Sequence, residues 1–260
     1  MTTGVLEEAL DRRAENRVTR KPKGIKLTID DRDIRWFHFL HRHGGRLPTS
    51  YLHDHTKHTH RNKTWSQNRL RDLFHDSKHL DRNWRQLETI DPRYNEVIHE
   101  LNSKSLGVLE EEGLFSPYVP KMGGAYKHQV MLSCVSASFE LNSRENEEAI
   151  GFTPQHEAVD HTNAFLDERQ REEVRPDGIV VVKNKKNGRQ SMLFLEIDRS
   201  TEQSHDTRAS RRKARQTIEG KVQHYKKLIG KGLYKKEYGF TGGAFLLFIT
   251  TGEGRCNTFL

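Results

Sequence analysis

Cysteine is scarce in this sequence, which has only Cys134 and Cys256, far apart along the chain. Two distant thiols do not form the disulfide framework of a small secreted fold. Neither belongs to a Cys-x-x-Cys pair, the spacing with which cysteines hold structural zinc. The sequence therefore excludes a disulfide-stapled module and a cysteine-based zinc module, and we interpret both residues as ordinary thiols.

Long apolar runs are lacking as well. No stretch approaches the ~20 apolar residues that cross a bilayer, and residues 1–13 carry acids where a secretion signal needs an apolar block. We therefore expect a cytoplasmic protein without a membrane partner. Apolar residues make up 33% of the chain and charged residues 31%, but the apolar ones recur periodically, which predicts a folded protein with highly charged surfaces.

Basic residues are in excess, with a net charge of +8, and their distribution is uneven. Residues 205–236 hold eleven Lys or Arg against two acids, whereas residues 139–177 hold eleven acids against four bases. Fixed positive charge attracts phosphates and releases their counterions, so the basic segment favours a polyanionic partner. Solvated helix faces are the alternative interpretation of both segments.

The length of 260 residues suits two modest domains, each large enough to bury a core. We expect a charged N-terminal arm over residues 1–25, a first domain over residues 26–115 and a second over residues 116–260. Both domains combine helical and strand patterns, which predicts an α+β or α/β fold.

The first domain is predicted to open with three helices joined by tight turns. Thr28 and Asp31 have the Ser/Thr-x-x-acid spacing of a helix start, and a glycine pair ends that helix. Pro48 opens a short second helix, and residues 66–77 form the third, with its leucines on one face. This order is typical of a helix-turn-helix.

A two-stranded wing is predicted after these helices, because residues 86–90 and 96–101 alternate around the turn-prone segment "DPRYN". A closing helix then ends at Gly113. In a winged helix-turn-helix the third helix enters the major groove of double-stranded DNA. The polar residues it would bring to bases or phosphates are Asn62, Lys63, Gln67, Asn68 and Arg71. Three-helix units also serve as dimerisation or structural modules, and a homodimer is left open.

The second domain has the predicted order helix, three strands, helix, strand. Its strongest local signal is the Asn187-Gly188 pair, which predicts a hairpin between two apolar strands. The elements are a helix within 126–141, a weaker strand near 149–159, strands near 175–183 and 191–200, a helix from about Ala209 to Ile229 and a strand at 243–250.

Acidic side chains gather where two of these strands end. Side chains alternate along a strand, so Glu196 and Asp198 share the face of Phe194. The predicted hairpin brings Asp177 beside them. Carboxylates placed together repel each other and raise each other's pKa unless a cation neutralises them. An oxygen-preferring ion, Mg²⁺ or Mn²⁺, is therefore the expected cofactor.

These elements resemble the PD-(D/E)xK nuclease superfamily, with Asp177 after Pro176 and Glu196 on the next strand. More narrowly, the chain resembles the replication-relaxation family of plasmid and phage proteins over roughly residues 27 to 251. The motifs that carry this second resemblance are "LTIDDRD", His128 at the head of a helix, "RPDG", "FLEIDRSTE" and "KVQHYKKL". The fold implied for residues 116–260 is a restriction-endonuclease-like αβββαβ domain.

The nuclease resemblance implies that Asp177 and Glu196 bind the metal, with the Ile197 carbonyl as a candidate third ligand. We expect Asp198, on the same face as Glu196, to assist as a further ligand and catalytic acid. This chain departs from the pattern because Asp198 stands where a lysine is expected. Lys221 on the following helix is the candidate replacement, since a lysine stem reaches across a short gap. Gln223 and Lys226 are the other candidates.

Further residues have supporting roles in this interpretation. Accessory candidates are Glu140, Glu157 and His128, and the candidates for phosphate binding in the basic segment are Arg208, Arg211, Arg212 and Lys213. Tyr225 is interpreted as part of the packing stripe of its helix.

The predicted function is a DNA-binding protein with metal-dependent endonuclease (nicking) activity in plasmid or phage replication. In the alternative, the acids form a structural ion-pair cluster, and the protein is a catalytically inactive regulator of replication or transcription. An adaptor role for the acidic segment has no motif to support it.

Overall fold

A computed structural model of the chain describes residues 17–59, 62–88, 96–117, 119, 125–146, 150–158, 176–198 and 217–250. The chain divides into two compact units, residues 1–141 and 142–260. The division lies inside a helix, whereas the boundary expected from the sequence lies before that helix, at residue 116. None of the helices in these described ranges is long and apolar enough to span a membrane.

The first unit combines helices with a small antiparallel sheet of strand order β1-β3-β2. Short 3-10 turns cover Lys57–Thr59 and Trp84–Glu88. Its elements are α1 (Asp31–Arg42), β1 (Arg46–Pro48), α2 (Thr49–Thr56), α3 (Lys63–His75), β2 (Leu80–Asp81), β3 (Ile98–Leu101), α4 (Ser103–Glu111) and the first part of α5 (Tyr126–Glu145).

The N-cap of helix α1 lies two residues after the predicted one. Asp30, not Thr28, is the N-cap, and its carboxylate accepts hydrogen bonds from the backbone N–H groups of Arg32 and Asp33. The Asp33 side chain accepts the N–H of Asp30 in return, which completes a capping box. The expectation from Thr28 was wrong because an aspartate three residues before another acid satisfies the same donors.

The core of the first unit is built on the buried face of α1. The Trp36 indole N–H points at two acceptors on α2, the Leu52 carbonyl at 2.8 Å and the Thr56 hydroxyl at 2.9 Å. The guanidinium of Arg69 on α3 binds both carboxylate oxygens of the fully buried Asp33, at 3.0 and 2.5 Å. These contacts fix the three predicted helices against each other and leave one side of α3 exposed.

The wing strand predicted at residues 86–90 is wrong over its described part. Residues 84–88 form a 3-10 turn, and strand β3 pairs instead with β1 and β2. The Gln86 side chain explains the difference, because its carbonyl oxygen accepts the N–H of Ile98 at 3.1 Å, in place of a strand partner. The predicted turn at 91–95 lies outside the described residues.

The second unit contains a four-stranded sheet of order β4-β5-β6-β7. Strands β4, β5 and β6 are antiparallel, and β7 pairs parallel to β6. Its elements, after the end of α5, are β4 (Ile150–Pro154), α6 (Gln155–Ala158), β5 (Gly178–Asn184), β6 (Gln190–Asp198), α7 (Ile218–Gly230), α8 (Tyr234–Glu237) and β7 (Gly243–Thr250). The predicted order helix, three strands, helix, strand is confirmed, with α6 and α8 as short additions.

The hairpin predicted at Asn187-Gly188 is confirmed. Gly188 has a positive φ of 69°, a conformation that favours glycine, and Lys183 lies opposite Gln190 across the two strands. On one face of the sheet, Tyr225 and Leu228 of α7 pack into a core that includes Phe194. Helix α7 begins at Ile218, and its predicted extension back to residue 209 lies outside the described ranges.

Candidate functional sites

A fully buried carboxylate, Glu196 of β6, is the centre of the site in the second unit. The ammonium nitrogen of Lys221 lies 2.8 Å from its Oε2, and the Tyr225 hydroxyl donates to Oε1 at 2.5 Å. A buried charge is tolerated only when it is paired and hydrogen-bonded, and both conditions hold here. Lys221 is thus the predicted residue that the structure brings to Glu196.

Tyr225 reaches the same carboxylate because it lies four residues after Lys221 on α7. Side chains at this spacing lie on one face of a helix, one turn apart. The Tyr225 ring also contacts Phe194, with ring centroids 5.6 Å apart. The packing role predicted for Tyr225 is therefore confirmed, but its hydrogen bond to Glu196 was missed. The Lys-x-x-x-Tyr spacing is the signal that could have indicated it.

Asp177 lies beside Glu196, as the hairpin predicts. Its Oδ2 accepts the backbone N–H of Ile197 at 2.8 Å, and its own N–H donates to the Leu195 carbonyl at 2.9 Å. These two bonds extend the β5–β6 pairing by one residue and attach the aspartate to the strand that carries Glu196. Two of the three predicted acids are thereby held on adjacent strands.

The surroundings of Glu196 and Tyr225 shift the pKa of both side chains. Burial is the main cause that raises the pKa of Glu196, and the negative charge of Asp177 raises it further. Lys221 and the Tyr225 hydroxyl oppose this change, because both stabilise the ionised carboxylate. Burial and the Glu196 charge raise the pKa of Tyr225, so its hydroxyl keeps its proton and acts as a donor.

Asp198 is buried at the end of β6, in register with Thr250 of β7. A convergence of three acids is not seen, since the described ranges contain no set of three His, Cys, Asp or Glu side chains placed to hold a metal ion. The two carboxylates of Asp177 and Glu196 are the oxygen ligands that fit a hard cation best. The metal assignment therefore stays a prediction that rests on this pair.

The accessory candidates occupy different surroundings. In the first unit, the buried Glu140 carboxylate lies 3.0 Å from His43 Nε2 and 3.2 Å from Arg42 Nε. Glu157, in the second unit, is exposed and lies 3.5 Å from His156. His128 is partly buried on α5. The pairing of Glu140 within the first unit gives that residue a structural role there.

The exposed side of α3 is the second candidate site. Gln67 and Asn68 are exposed, as predicted, while Lys63 binds Glu96 at 2.8 Å and Arg71 binds the neighbouring Asp72 at 3.2 Å. The same side presents an aromatic residue that sequence reasoning missed. Trp65 is 41% exposed, and the Arg32 guanidinium lies 4.2 Å from its ring centroid. An exposed tryptophan among polar residues at a helix start is the signal that was overlooked.

Comparison with protein families identifies the family of this chain. A family model described as replication-relaxation matches residues 37–243, which is most of the chain. The chain belongs to the replication-relaxation family. Membership gives the protein a replication-related role, and the matched range contains both α3 and the Glu196 site. Neither the search of curated proteins nor that of solved structures returned a match.

The predicted phosphate-binding surface of this replication-relaxation protein extends along the basic segment, residues 205–236. The predicted residues of the basic segment, Arg208, Arg211, Arg212 and Lys213, lie outside the described residues. Lys221 and the rest of α7 follow directly, so the described end of that segment contributes one cation to the Glu196 site.

Proposed function

We propose that this replication-relaxation protein binds double-stranded DNA through α3 and nicks it at the Glu196 site in the presence of Mg²⁺ or Mn²⁺. The DNA-binding part is supported by the order of the first unit, in which three packed helices are combined with a three-stranded sheet. A winged helix-turn-helix combines such elements, and its third helix reads the major groove. We infer the same docking for α3. The exposed Gln67, Asn68 and Trp65 lie on that helix.

The contact between Lys221 and Glu196 is the observation that carries the nuclease proposal. In the PD-(D/E)xK pattern a lysine two residues after the glutamate supplies positive charge, and this chain has Asp198 there. Lys221 supplies an ammonium group 2.8 Å from Glu196 from a different element. Strands β4 to β6 with a parallel β7 also have the connectivity expected of the restriction-endonuclease-like fold.

Each residue has a physical role in this proposal. Lys221 would stabilise negative charge that develops on the scissile phosphate, as a fixed cation in a site shielded from water does. Tyr225 would hold the Glu196 carboxylate in one orientation. A divalent ion held by Asp177 and Glu196, assisted by Asp198, would polarise the phosphate and acidify a water molecule.

A second candidate function is favoured by the burial of the same carboxylate. Glu196 has no exposed surface, and each of its oxygens already has a partner. An ion pair of this kind is also retained in folds without chemistry. The chain would then be a DNA-binding replication factor whose nuclease-like scaffold is inactive.

A nicking assay separates the two candidates. Purified protein is incubated with supercoiled plasmid and Mg²⁺ or Mn²⁺, and open-circular product is measured by electrophoresis. Wild type is expected to nick, Glu196→Gln is expected to lose activity, and the exposed Glu219→Gln on α7 is the matched control. Nicking that persists in Glu196→Gln, or none in wild type that binds DNA tightly, contradicts the nuclease proposal.

DNA binding is tested separately by gel shift. The double variant Gln67→Ala/Asn68→Ala is expected to weaken duplex binding by roughly tenfold or more, since each good base contact contributes about 1–3 kcal/mol of discrimination. Binding that is unchanged in this variant contradicts the role of α3.

A further inference from the structure

A cavity of about 490 Å³ lies in the first unit beside the 3-10 turn at 84–88. Its lining is rich in arginine and includes Arg20, Arg82, Arg85, Asp81, Glu100 and Trp84. Its volume is within the range of about 300–1,000 Å³ typical of small-ligand sites. The cavity is separate from the exposed residues of α3 and is not explained by the contacts proposed above.

The acids of this cavity are already neutralised. Asp81 is paired with Arg20, and Glu100 lies 3.2 Å from the Arg46 guanidinium. In contrast, within the described ranges neither Arg82 nor Arg85 has a carboxylate partner. Two positive charges therefore remain available to an anion that enters the cavity.

The Arg82 guanidinium has few hydrogen-bond acceptors among the described residues. Its guanidinium lies 4.4 Å from the Phe74 ring centroid and donates to the Arg17 carbonyl at 3.2 Å. Its Nε is buried and has no hydrogen-bond partner among the described residues. Burial, followed by the charges of Arg71 and Arg17, lowers the pKa of Arg82 to about 10, so the side chain is still a cation at neutral pH. A buried donor without an acceptor is costly, and an anion would relieve that cost.

Trp84 lines the cavity, and 59% of its surface is exposed. Side-chain hydrogen bonds fix the backbone that carries Trp84. The buried Gln86 side chain donates to the Asn83 carbonyl at 3.0 Å and accepts the Ile98 N–H, and the Asn83 side chain accepts the Arg85 N–H at 3.0 Å. The indole is thus presented on a braced turn, with the Arg85 guanidinium 5.9 Å from its ring centroid.

We propose that this cavity binds an unpaired nucleotide of a DNA strand, with its base stacked on Trp84 and its phosphate between Arg82 and Arg85. Aromatic side chains next to unpaired cations are the means by which proteins hold single-stranded nucleic acid. The inference rests on the DNA binding proposed above and adds a preference to it. Duplexes that contain a gap or bulge should bind more tightly than fully paired duplexes, and such DNA is what a replication protein encounters.

Fluorescence anisotropy with two labelled duplexes of one sequence tests the proposal. One duplex is fully paired and the other contains a short single-stranded gap. Wild type is expected to prefer the gapped duplex by about tenfold, the order expected for one stacked base. Trp84→Leu and Arg85→Gln should lose this preference and keep the affinity for paired duplex. Both residues are exposed, so unfolding midpoints near that of wild type are expected, and Phe245→Leu, 57% exposed on β7, is the matched aromatic control.

The outcomes separate this inference from the proposed function. Equal binding of both duplexes by wild type, or equal weakening of both by Trp84→Leu, overturns the nucleotide site while duplex binding stands. Absence of binding to either duplex overturns both proposals. A deoxynucleoside 5′-monophosphate that displaces gapped DNA with the same affinity identifies a free nucleotide as the occupant and overturns the strand assignment.

Discussion

Lys221 and Glu196 form an ion pair between α7 and β6, with Nζ 2.8 Å from Oε2 and no exposed surface on the glutamate. The two residues are 25 positions apart in sequence, so the pair exists only in the folded second unit. Because the carboxylate is removed from water, its ionisation depends on this one ammonium group and on the hydroxyl of Tyr225.

Removal of the Lys221 ammonium group should therefore destabilise the folded protein. Lys221→Met is expected to lower the free energy of unfolding by about 3–5 kcal/mol, the usual effect of an uncompensated buried charge. Lys221→Met/Glu196→Gln should recover most of that loss, because no charge is then left unpaired. Urea unfolding measures both, and the exposed Lys227→Met on the same helix should stay within about 0.5 kcal/mol of wild type. Equal losses in Lys221→Met and Lys227→Met would show that Lys221 is not the counter-ion.

Two tyrosines allow the hydrogen bond to Glu196 to be measured. Tyr225 and Tyr234 both lie near Phe194, but Tyr225 donates to a carboxylate and Tyr234 to the Gly242 carbonyl at 2.7 Å. Tyr225→Phe should cost about 1.5–3 kcal/mol and Tyr234→Phe about 1 kcal/mol, because bonds to charged groups are stronger. Thermal or denaturant unfolding checks the ranking, and the reverse order would contradict a charge-assisted bond.

Two arginines of α3 are predicted to have different roles, Arg69 in stability and Arg71 in DNA binding. Arg69 neutralises the buried Asp33, so Arg69→Met should destabilise the protein by about 3 kcal/mol. The Arg71 side chain is 41% exposed and pairs only with the next residue, Asp72, in the described part of the chain. Arg71→Met should change stability by less than about 0.5 kcal/mol and should weaken duplex binding. Unfolding curves and gel shifts on the same samples test both statements, and a loss of stability without a loss of binding in Arg71→Met contradicts them.

As pH falls, the first unit should begin to lose stability at a pH above the range in which carboxylates titrate. His99 is buried, with Nε2 3.1 Å from the Thr49 hydroxyl, and burial first, then the Arg82 charge, lower its pKa well below its ordinary value of 6.5. The unfolded chain binds a proton below about pH 6.5 that the folded protein does not bind. Stability is therefore present above that pH and is lost as pH falls, at up to about 1.4 kcal/mol per pH unit for this histidine.

Urea unfolding at about pH 7.5 and about pH 5.5 measures this effect. His99→Gln should reduce the difference between the two values, and His58→Gln, at an exposed position, is the matched control. A difference that is the same in wild type and in His99→Gln would assign the acid sensitivity to other groups.

Local pattern was sufficient to predict the positions of the two adjacent acids. The Asn187-Gly188 turn fixes the register of β5 and β6, and strand alternation then determines which side chains share a face with Glu196. The partner of Glu196 was only one of several candidates, because the choice between Lys221 and Lys226 depends on how α7 is rotated against the sheet. The packing of Tyr225 and Leu228 sets that rotation. The four-residue spacing from Lys221 to Tyr225 was the local signal that favoured Lys221.

The incorrect wing strand shows a different limit. Residues 86–90 have the alternation of a strand, but the Gln86 side chain accepts the Ile98 N–H and so satisfies a backbone group that a strand would have paired. Individual contacts of this kind determine the secondary structure of short segments, and a pattern of apolar and polar residues does not encode them. The braced turn that presents Trp84 results from the same contact.

The parallel pairing of β6 with β7 has a consequence for biosynthesis. Glu196 and Asp198 lie opposite Phe248 and Thr250, so the strand that carries the acids gains its second neighbour only after β7 has been translated. A nascent chain that ends before Gly243 leaves one edge of β6 without its hydrogen-bonding partner. The acidic centre thus matures only after the ribosome has synthesised β7.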